Sequence, residues 1–374
     1  MLNFLTKNHI FGKILTQKQL KMKKIFLGMA TLALIFTSCN NDQNEALNEQ
    51  SKIDMSDFYV HTDDATNGSL EGRSTNGLNS CATMQVLNRQ LQENPGLYQK
   101  MYDIEYHTRK LIAAKKPSNP GGGNGGGGGG SDPTPYVGSI TIPVVVNILE
   151  DNAGDVTQAQ INTQIAILNE DYNNNNPNTS SAPAEFAGLV ANSNITFSVT
   201  TVNREISTRA TWGTSNAMKD SSQGGIDATD TSTYLNIWVC NIGGGILGYA
   251  QFPGGSAATD GVVIGNDYFG ETVAGGVYGD GRTATHEVGH WLNLRHIWGD
   301  GRCRQDDFVS DTPSSDRANY GCPTYPTVHC KSNDMTMNYM DYFYDDCMYM
   351  FTNGQDDRMR TIFAAGGARE SFVN

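Results

Sequence analysis

The chain has 374 residues, a formal net charge of −13 and 38% hydrophobic residues. So acidic a chain lacks the basic surface that neutralises phosphates, which excludes nucleic acid as a partner and disfavours electrostatic docking on anionic membranes. Its apolar content suffices for one sizeable core but not for a membrane channel.

In chain order, Lys23 and Lys24 precede an apolar run from Ile25 to Phe36, followed by Thr37, Ser38 and Cys39. The run is too short to span a bilayer, and its basic flank and trailing small residues have the layout of an export signal over 22–38. Residues 1–21 sit awkwardly before that signal, so Met22 is read as the start. Phe36-Thr37-Ser38-Cys39 resembles the lipobox of bacterial lipoproteins, in which the cysteine carries the lipid, although Phe36 is an imperfect match at its position. The alternative is an ordinary secretory signal cut near the same place. Either way the protein is exported, as a cell-surface or outer-membrane lipoprotein or as a secreted chain. A lipid on Cys39 is the one membrane contact expected.

Residues 40–80 are rich in Asn, Asp, Ser and Thr and read as disordered or loosely structured. From Met84 to Lys116 the pattern is helical: Met84, Leu87 and Leu91 form one stripe, Leu97, Met101 and Ile104 another, with Pro95-Gly96 between them. Gly121 to Gly130, broken only by Asn124, has no side chains to bury and behaves as a tether. The organisation is therefore a small N-terminal segment (39–116), a glycine-rich linker (117–135) and a main domain (136–374).

Within the main domain, Ile140 to Leu149 reads as a buried strand. Thr157 and Gln160 form a capping box, with Val156 and Ile161 placed as a hydrophobic staple. Ile161, Ile165, Leu168 and Tyr172 then recur at helical spacing. Ile195, Phe197 and Val199 alternate with polar residues as in a half-buried strand, and Leu235–Cys240 and 261–264 are two further strands. After His296 periodicity is lost. The fold class is α+β: a sheet with helices (136–296), then an irregular lower part (297–374).

The stretch His286-Glu287-Val288-Gly289-His290 places two imidazoles four residues apart, on one helical face, where both can hold a metal ion. Glu287 lies beside them and can take a proton from a metal-bound water as it attacks a peptide carbonyl. The motif alone also occurs by chance on helices. His296, six residues further on, can return to the metal only if the helix breaks between them. Three protein ligands and one open position describe a catalytic rather than a structural zinc site, and one catalytic Zn2+ is expected.

Cys303, Cys322, Cys330 and Cys347 cluster where apolar core is scarce, which favours disulfides in an oxidising compartment and leaves three pairings open. A second structural zinc site lacks the close Cys-x-x-Cys spacing. Cys240 ends an apolar strand and reads as a buried thiol. Cys81 precedes the helical N-terminal segment; a Cys81–Cys240 disulfide, a free thiol and a zinc-blocking thiolate are all open to it.

On His286, Glu287, His290 and His296 the chain resembles the metzincins and, within them, the pappalysin family and its bacterial members, over roughly 136–374 and more loosely near Cys81. The resemblance implies a twisted mixed sheet with a backing helix and an active-site helix, followed by a disulfide-bearing C-terminal subdomain. It implies a zinc endopeptidase acting on proteins or peptides. The family has Gly where this chain has Asn293, and Asn is the non-glycine residue most tolerant of a left-handed turn. Asn338-Tyr339-Met340-Asp341-Tyr342 is similar to the family's methionine turn, with Met340 beneath the metal and Tyr342 facing it as an oxyanion stabiliser; ordinary core packing is the alternative for both. The resemblance also implies the pairs Cys303–Cys330 and Cys322–Cys347. It further implies a precursor in which Cys81 closes the metal site and the N-terminal segment acts as an intramolecular inhibitor. Asp345 matches the family's pocket residue for the position after the cut bond, implying cleavage before Arg or Lys; otherwise Asp345 and Asp346 are solvated loop charges. Asp306, Asp307, Asp311 and Thr312 are a candidate calcium loop, or an acidic loop without metal. The competing reading from another class is a surface-anchored zinc-containing binding or adhesion lipoprotein without turnover, against which Glu287 speaks. A zinc peptidase with a distant glutamate ligand is opposed by His296, and a nuclease has no supporting motif.

Overall fold

The computed structural model describes residues 53–60, 79–115 and 134–373. The start at Met22, the export signal, Cys39 and nearly all of the glycine-rich linker lie outside the described residues. No helix among the described residues is long and apolar enough to cross a membrane.

Strand β2 (Ile140–Glu150) owes its place to its β-branched run, with Ile142, Val144, Val146 and Ile148 fully buried. It pairs in parallel with β3 (Ile195–Ile206) on one side and β4 (Leu235–Cys240) on the other. Beyond β4 lies β6 (Val262–Gly265), parallel to it, and then β5 (Ile246–Ala250), the one antiparallel strand of the main domain's sheet. The short β1 (Asn79–Cys81), from the N-terminal segment, adds to the edge of β5, giving the order β1-β5-β6-β4-β2-β3.

Helix α3 (Gln158–Tyr172) packs on one face of this sheet, after α1 (Thr83–Glu93) and α2 (Leu97–Lys115) of the N-terminal segment. Thr157 and Gln160 make the reciprocal capping bonds, and Val156 and Ile161 are both buried beside them. Ile161, Leu168 and Tyr172 meet Ile142, Val144 and Ile148 in the main core, where each side chain contributes roughly 1.5–3 kcal/mol. The opposite face is covered by Trp212, Ala217 and Met218 and by Ala82 and Val86. Helix α4 (Arg282–Trp291) lies on the α3 face with Ala284, Val288 and Trp291 in the main core.

The C-terminal part holds the short strands β7 (Tyr320–Gly321), β8 (Val328–His329), β9 (Ser332–Asn333) and β10 (Tyr342–Phe343), then α5 (Asn353–Thr361). Disulfides join Cys303 to Cys330 and Cys322 to Cys347. Each closes a loop of under thirty residues, 27 and 25 apart in sequence, for about 3 kcal/mol on the chain-entropy account.

Three expectations change. Residues 53–60 are not loose: Val60 is buried, and the Tyr59 hydroxyl donates to the carbonyls of Gly299 and Asp306. Val199 remains 38% exposed because β3 is the outer edge of the sheet. Strand β5 escaped the sequence reading because only Ile246 to Ala250, two of them small residues, form it.

Candidate active site

Helix α4 begins at Gly281, whose left-handed backbone (φ 75°) turns the chain into the helix. Asp345 Oδ2 accepts from the backbone N–H groups of Asp280 and Arg282 at 3.0 and 3.1 Å, an anion set against a helix N-terminus. One side of the helix faces α3, where the Thr285 hydroxyl donates to Asp171 at 2.6 Å. The other carries His286 and His290. The helix stops at Trp291 because Asn293 adopts φ 75°, and the Leu294 N–H returns to the Gly289 carbonyl at 2.9 Å. That reversal brings His296 back to the two helical histidines.

The three imidazoles are oriented from behind. Nδ1 of His286 donates to the Tyr339 carbonyl at 2.7 Å and Nδ1 of His290 to the Leu294 carbonyl at 2.8 Å, while Nδ1 of His296 pairs with Asp300 Oδ1. A carbonyl can only accept, so the Nε2 lone pairs of His286 and His290 point into the site. Trp298 stacks on His296 at 4.3 Å. Met340 lies directly beneath α4: a Cβ on Gly289 would sit 2.5 Å from its Sδ.

Four ligand atoms, from Cys81, His286, His290 and His296, lie within 4.8 Å of one another. His290 Nε2 is 3.1 Å from His296 Nε2 and 3.6 Å from Cys81 Sγ. Ordinary zinc–ligand lengths in a tetrahedron give edges of about 3.3 Å between two nitrogens and about 3.6 Å between nitrogen and sulfur. His286 Nε2 is buried with no hydrogen-bond partner. Burial holds His286 down at about 3 and lowers His290, so both stay neutral; it raises the Cys81 thiol, with nearby Glu287 adding to the effect. Neutral imidazoles and a half-buried thiol beside a buried carboxylate are a donor set that fits a soft divalent cation.

Glu287 is fully buried, and burial raises it to about 8. Its Oε2 accepts from the Thr83 hydroxyl at 2.7 Å, and the Thr83 Oγ1 in turn accepts from the Ala250 N–H at 2.7 Å. The Tyr342 hydroxyl is 3.0 Å from His296 Nε2. Asp345 is 2% exposed and is not a solvated loop charge, whereas Asp346 is exposed. Asp345 Oδ1 has no hydrogen-bond partner, and the side chain borders a small cavity with Leu247, Tyr278, Thr283 and Tyr342 that reaches His286 and Glu287. Cys81 and Cys240 are both free thiols, Cys240 in the core on the far face of the sheet, so no disulfide joins them.

The four candidate calcium residues are not gathered around a common point. The Thr312 hydroxyl donates to Asp307 at 2.9 Å, Asp306 accepts from the Phe308 N–H, and Asp311 accepts from the Thr352 hydroxyl and the Gly354 N–H at the start of α5. Their carboxylates are spent on turns and a helix end, and among the described residues the candidate metal groups do not include them. Thr83 and Asp300 were missed by the sequence reading. Asp300 had a usable signal, a carboxylate four residues after His296.

The peptidase family model described as "Pregnancy-associated plasma protein-A" matches residues 220–364. An extracellular metalloprotease of Arthroderma benhamiae is 33% identical over 254 residues, covering 62% of this chain and 76% of the relative. One from Pyricularia oryzae is 34% identical over 233 residues, covering 60% and 73%. Mature mirolysin of Tannerella forsythia, solved with a cleaved peptide, superposes with a TM-score of 0.61 at 43% identity, covering 63% of this chain and 96% of mirolysin. A promirolysin variant of the same organism gives 0.65 at 38% identity, covering 78% of this chain and 96% of promirolysin. With this fold and these relatives, the chain belongs to the pappalysin family of metzincin metallopeptidases.

Proposed function

We propose that the protein is an exported zinc endopeptidase made as a latent precursor, with His286, His290 and His296 as metal ligands and Glu287 as general base. One observation carries this reading: the ligand atoms of three imidazoles and the Cys81 sulfur lie within 4.8 Å of one another, with Glu287 beside them. Zinc held there supplies Lewis-acid chemistry, acidifying water and polarising a carbonyl. Glu287 takes the proton of the attacking water and passes it to the leaving amine. Tyr342 donates its hydroxyl to the oxygen that becomes negative. Met340 supports the histidines from below.

Latency is read from the same contacts. Cys81 occupies the fourth ligand position and Thr83 occupies the oxygen of Glu287 that a water must reach. The segment 39–116 is the pro-segment, and its β1 fills the β5 edge on which a substrate strand would pair. The likeness to promirolysin, which spans more of this chain than the likeness to mature mirolysin does, supports this. Export agrees with the relatives' description as extracellular, and Cys39 is the residue that would carry a lipid.

Asp345 is the specificity residue for Arg or Lys after the cut bond, its free Oδ1 being the acceptor. Burial raises it to about 7, so below that pH it is protonated and attracts a cation weakly. The preference for Arg over Leu at that position should therefore grow as pH rises through about 7.

The test is mass-spectrometric mapping of cuts in a mixed peptide library by the activated chain and by Glu287→Ala. Chelator-sensitive cuts before Arg or Lys that fall by a factor of about 10²–10⁴ in the variant are expected. Cuts with another preference, unchanged by Asp345→Asn, would remove Asp345 from this role. A folded, metal-loaded, pro-segment-free chain that cuts nothing would favour the binding lipoprotein.

A further inference from the structure

The pro-segment also covers a recess that the chemistry at the metal does not use. The main domain contributes Phe252, Asn293, Arg295, Phe308 and Arg358 to it. The Arg295 guanidinium lies over the Phe308 ring at 4.7 Å and that of Arg358 at 5.7 Å. Both side chains are almost fully buried. Arg358 Nε donates to the Asn293 carbonyl at 2.8 Å, and one terminal nitrogen of Arg295 has no hydrogen-bond partner. The main-domain lining holds no carboxylate. The pro-segment supplies it: Glu105 takes both terminal nitrogens of Arg358, at 3.2 and 2.5 Å. It supplies aromatic rings as well, with Phe58 and Tyr59 at 6.1 and 5.4 Å from Phe308.

We infer that in the mature enzyme this recess is an exosite for a stretch of protein substrate carrying an acidic residue beside an aromatic one, on the amino-terminal side of the cut bond. The inference rests on the peptidase reading of the site. Three physical points support it. Guanidiniums packed beside the Phe308 ring favour a bidentate carboxylate over scattered water, and removal of the pro-segment takes the carboxylate away. The departure also uncovers Phe252 and Phe308 together, and contiguous apolar surface rimmed by charge is the usual mark of an interaction site. Position settles the side. Leu247, towards one end of β5, borders the Asp345 cavity that takes the residue after the cut, while Phe252, beyond the other end, packs against His290 at 5.3 Å. A substrate strand lying along β5 from Asp345 therefore runs toward the recess with its amino-terminal half.

The test uses the activated enzyme and peptide twins sharing one cut site before Arg. A Phe-Glu pair, or Phe-Gln in the twin, is walked from about two to ten residues upstream, a span set by the extended reach of the chain. At the best spacing the Glu peptide should have a KM about tenfold lower than its Gln twin with kcat unchanged, because binding outside the reacting bond is uniform. That ratio should fall toward one as NaCl is raised from about 0.05 to 0.5 M. It should also fall toward one in Arg358→Gln, with Arg358→Lys between; the salt series on the unaltered enzyme carries the test if the Gln variant does not fold. Twins cut equally at every spacing would overturn the exosite and leave the peptidase standing. Twins that are both left intact would overturn both.

Discussion

Each histidine of the site depends on a second residue, and these dependences differ in kind. His286 and His290 are oriented by backbone carbonyls, which no side-chain substitution removes. His296 is oriented by the carboxylate of Asp300, 2% exposed and set in a left-handed turn of φ 56°. Asp300→Asn should therefore weaken metal binding by about 10–100-fold, read by competition with a chromophoric chelator, while the apo protein keeps its fold. An unchanged affinity would mean that Trp298 stacking alone holds the ring. Thr83 is the other residue whose effect is local. Its hydroxyl bridges the Ala250 N–H and Glu287. Thr83→Val in the precursor should leak peptidase activity above the unaltered precursor, and Thr83→Ser should restore silence. Equal silence in Thr83→Val would assign latency to Cys81 alone.

At the scale of elements, the site is made where α4 ends and the segment carrying Met340 passes below it. Gly289 has two duties: its carbonyl receives the Leu294 N–H that reverses the chain, and its missing side chain admits Met340. Gly289→Ala would place a methyl 2.5 Å from the Met340 sulfur in a packed core. Overpacking of this kind costs about 1–3 kcal/mol, and a lower denaturation midpoint with an unchanged m-value should show it. The double variant Gly289→Ala/Met340→Ala should recover part of the loss if the clash is the cause. Strand β5 shows the same economy of space: Gly248 lets it pass over Glu287 Cγ and Thr283.

Across the whole molecule, the N-terminal segment and main domain are held by buried charge as much as by apolar contact. Glu105 lies between Arg358 of α5 and Arg109 of its own helix, and Arg109 also reaches Asp57. Burial alone would raise Glu105, but the guanidiniums of Arg358 and Arg109 together outweigh it and hold the carboxyl down at about 2. A carboxylate lowered on folding stabilises above its unfolded pKa and loses that effect as pH falls through the folded value. The contribution, on the order of 3 kcal/mol, should be whole above about pH 4.5 and should fade toward pH 2. Denaturation of the precursor should accordingly separate the unaltered chain from Glu105→Gln at pH 6 by several kcal/mol, and the gap should close near pH 2. A gap that does not depend on pH would show that the glutamine disturbs packing rather than charge.

The sequence by itself determined whatever depends on residues close together along the chain. His286, Glu287 and His290 share a helical face through the 3.6-residue period, Asn293 marks the break, and Thr157 and Gln160 form their capping box from neighbours three apart. Only the tertiary structure decided the rest. Cys81 lies 209 residues from His290, Thr83 204 from Glu287, and Glu105 253 from Arg358, and no periodicity links positions so far apart. Asp345 could be told from the exposed Asp346 beside it only once the start of α4 lay against its carboxylate. The acidic loop at 306–312 shows the converse: its residues are close in sequence, yet their oxygens are bonded to hydroxyls and backbone N–H groups brought to them by the fold. Short-range geometry is written in spacing, whereas the partners of a buried charge are chosen by packing.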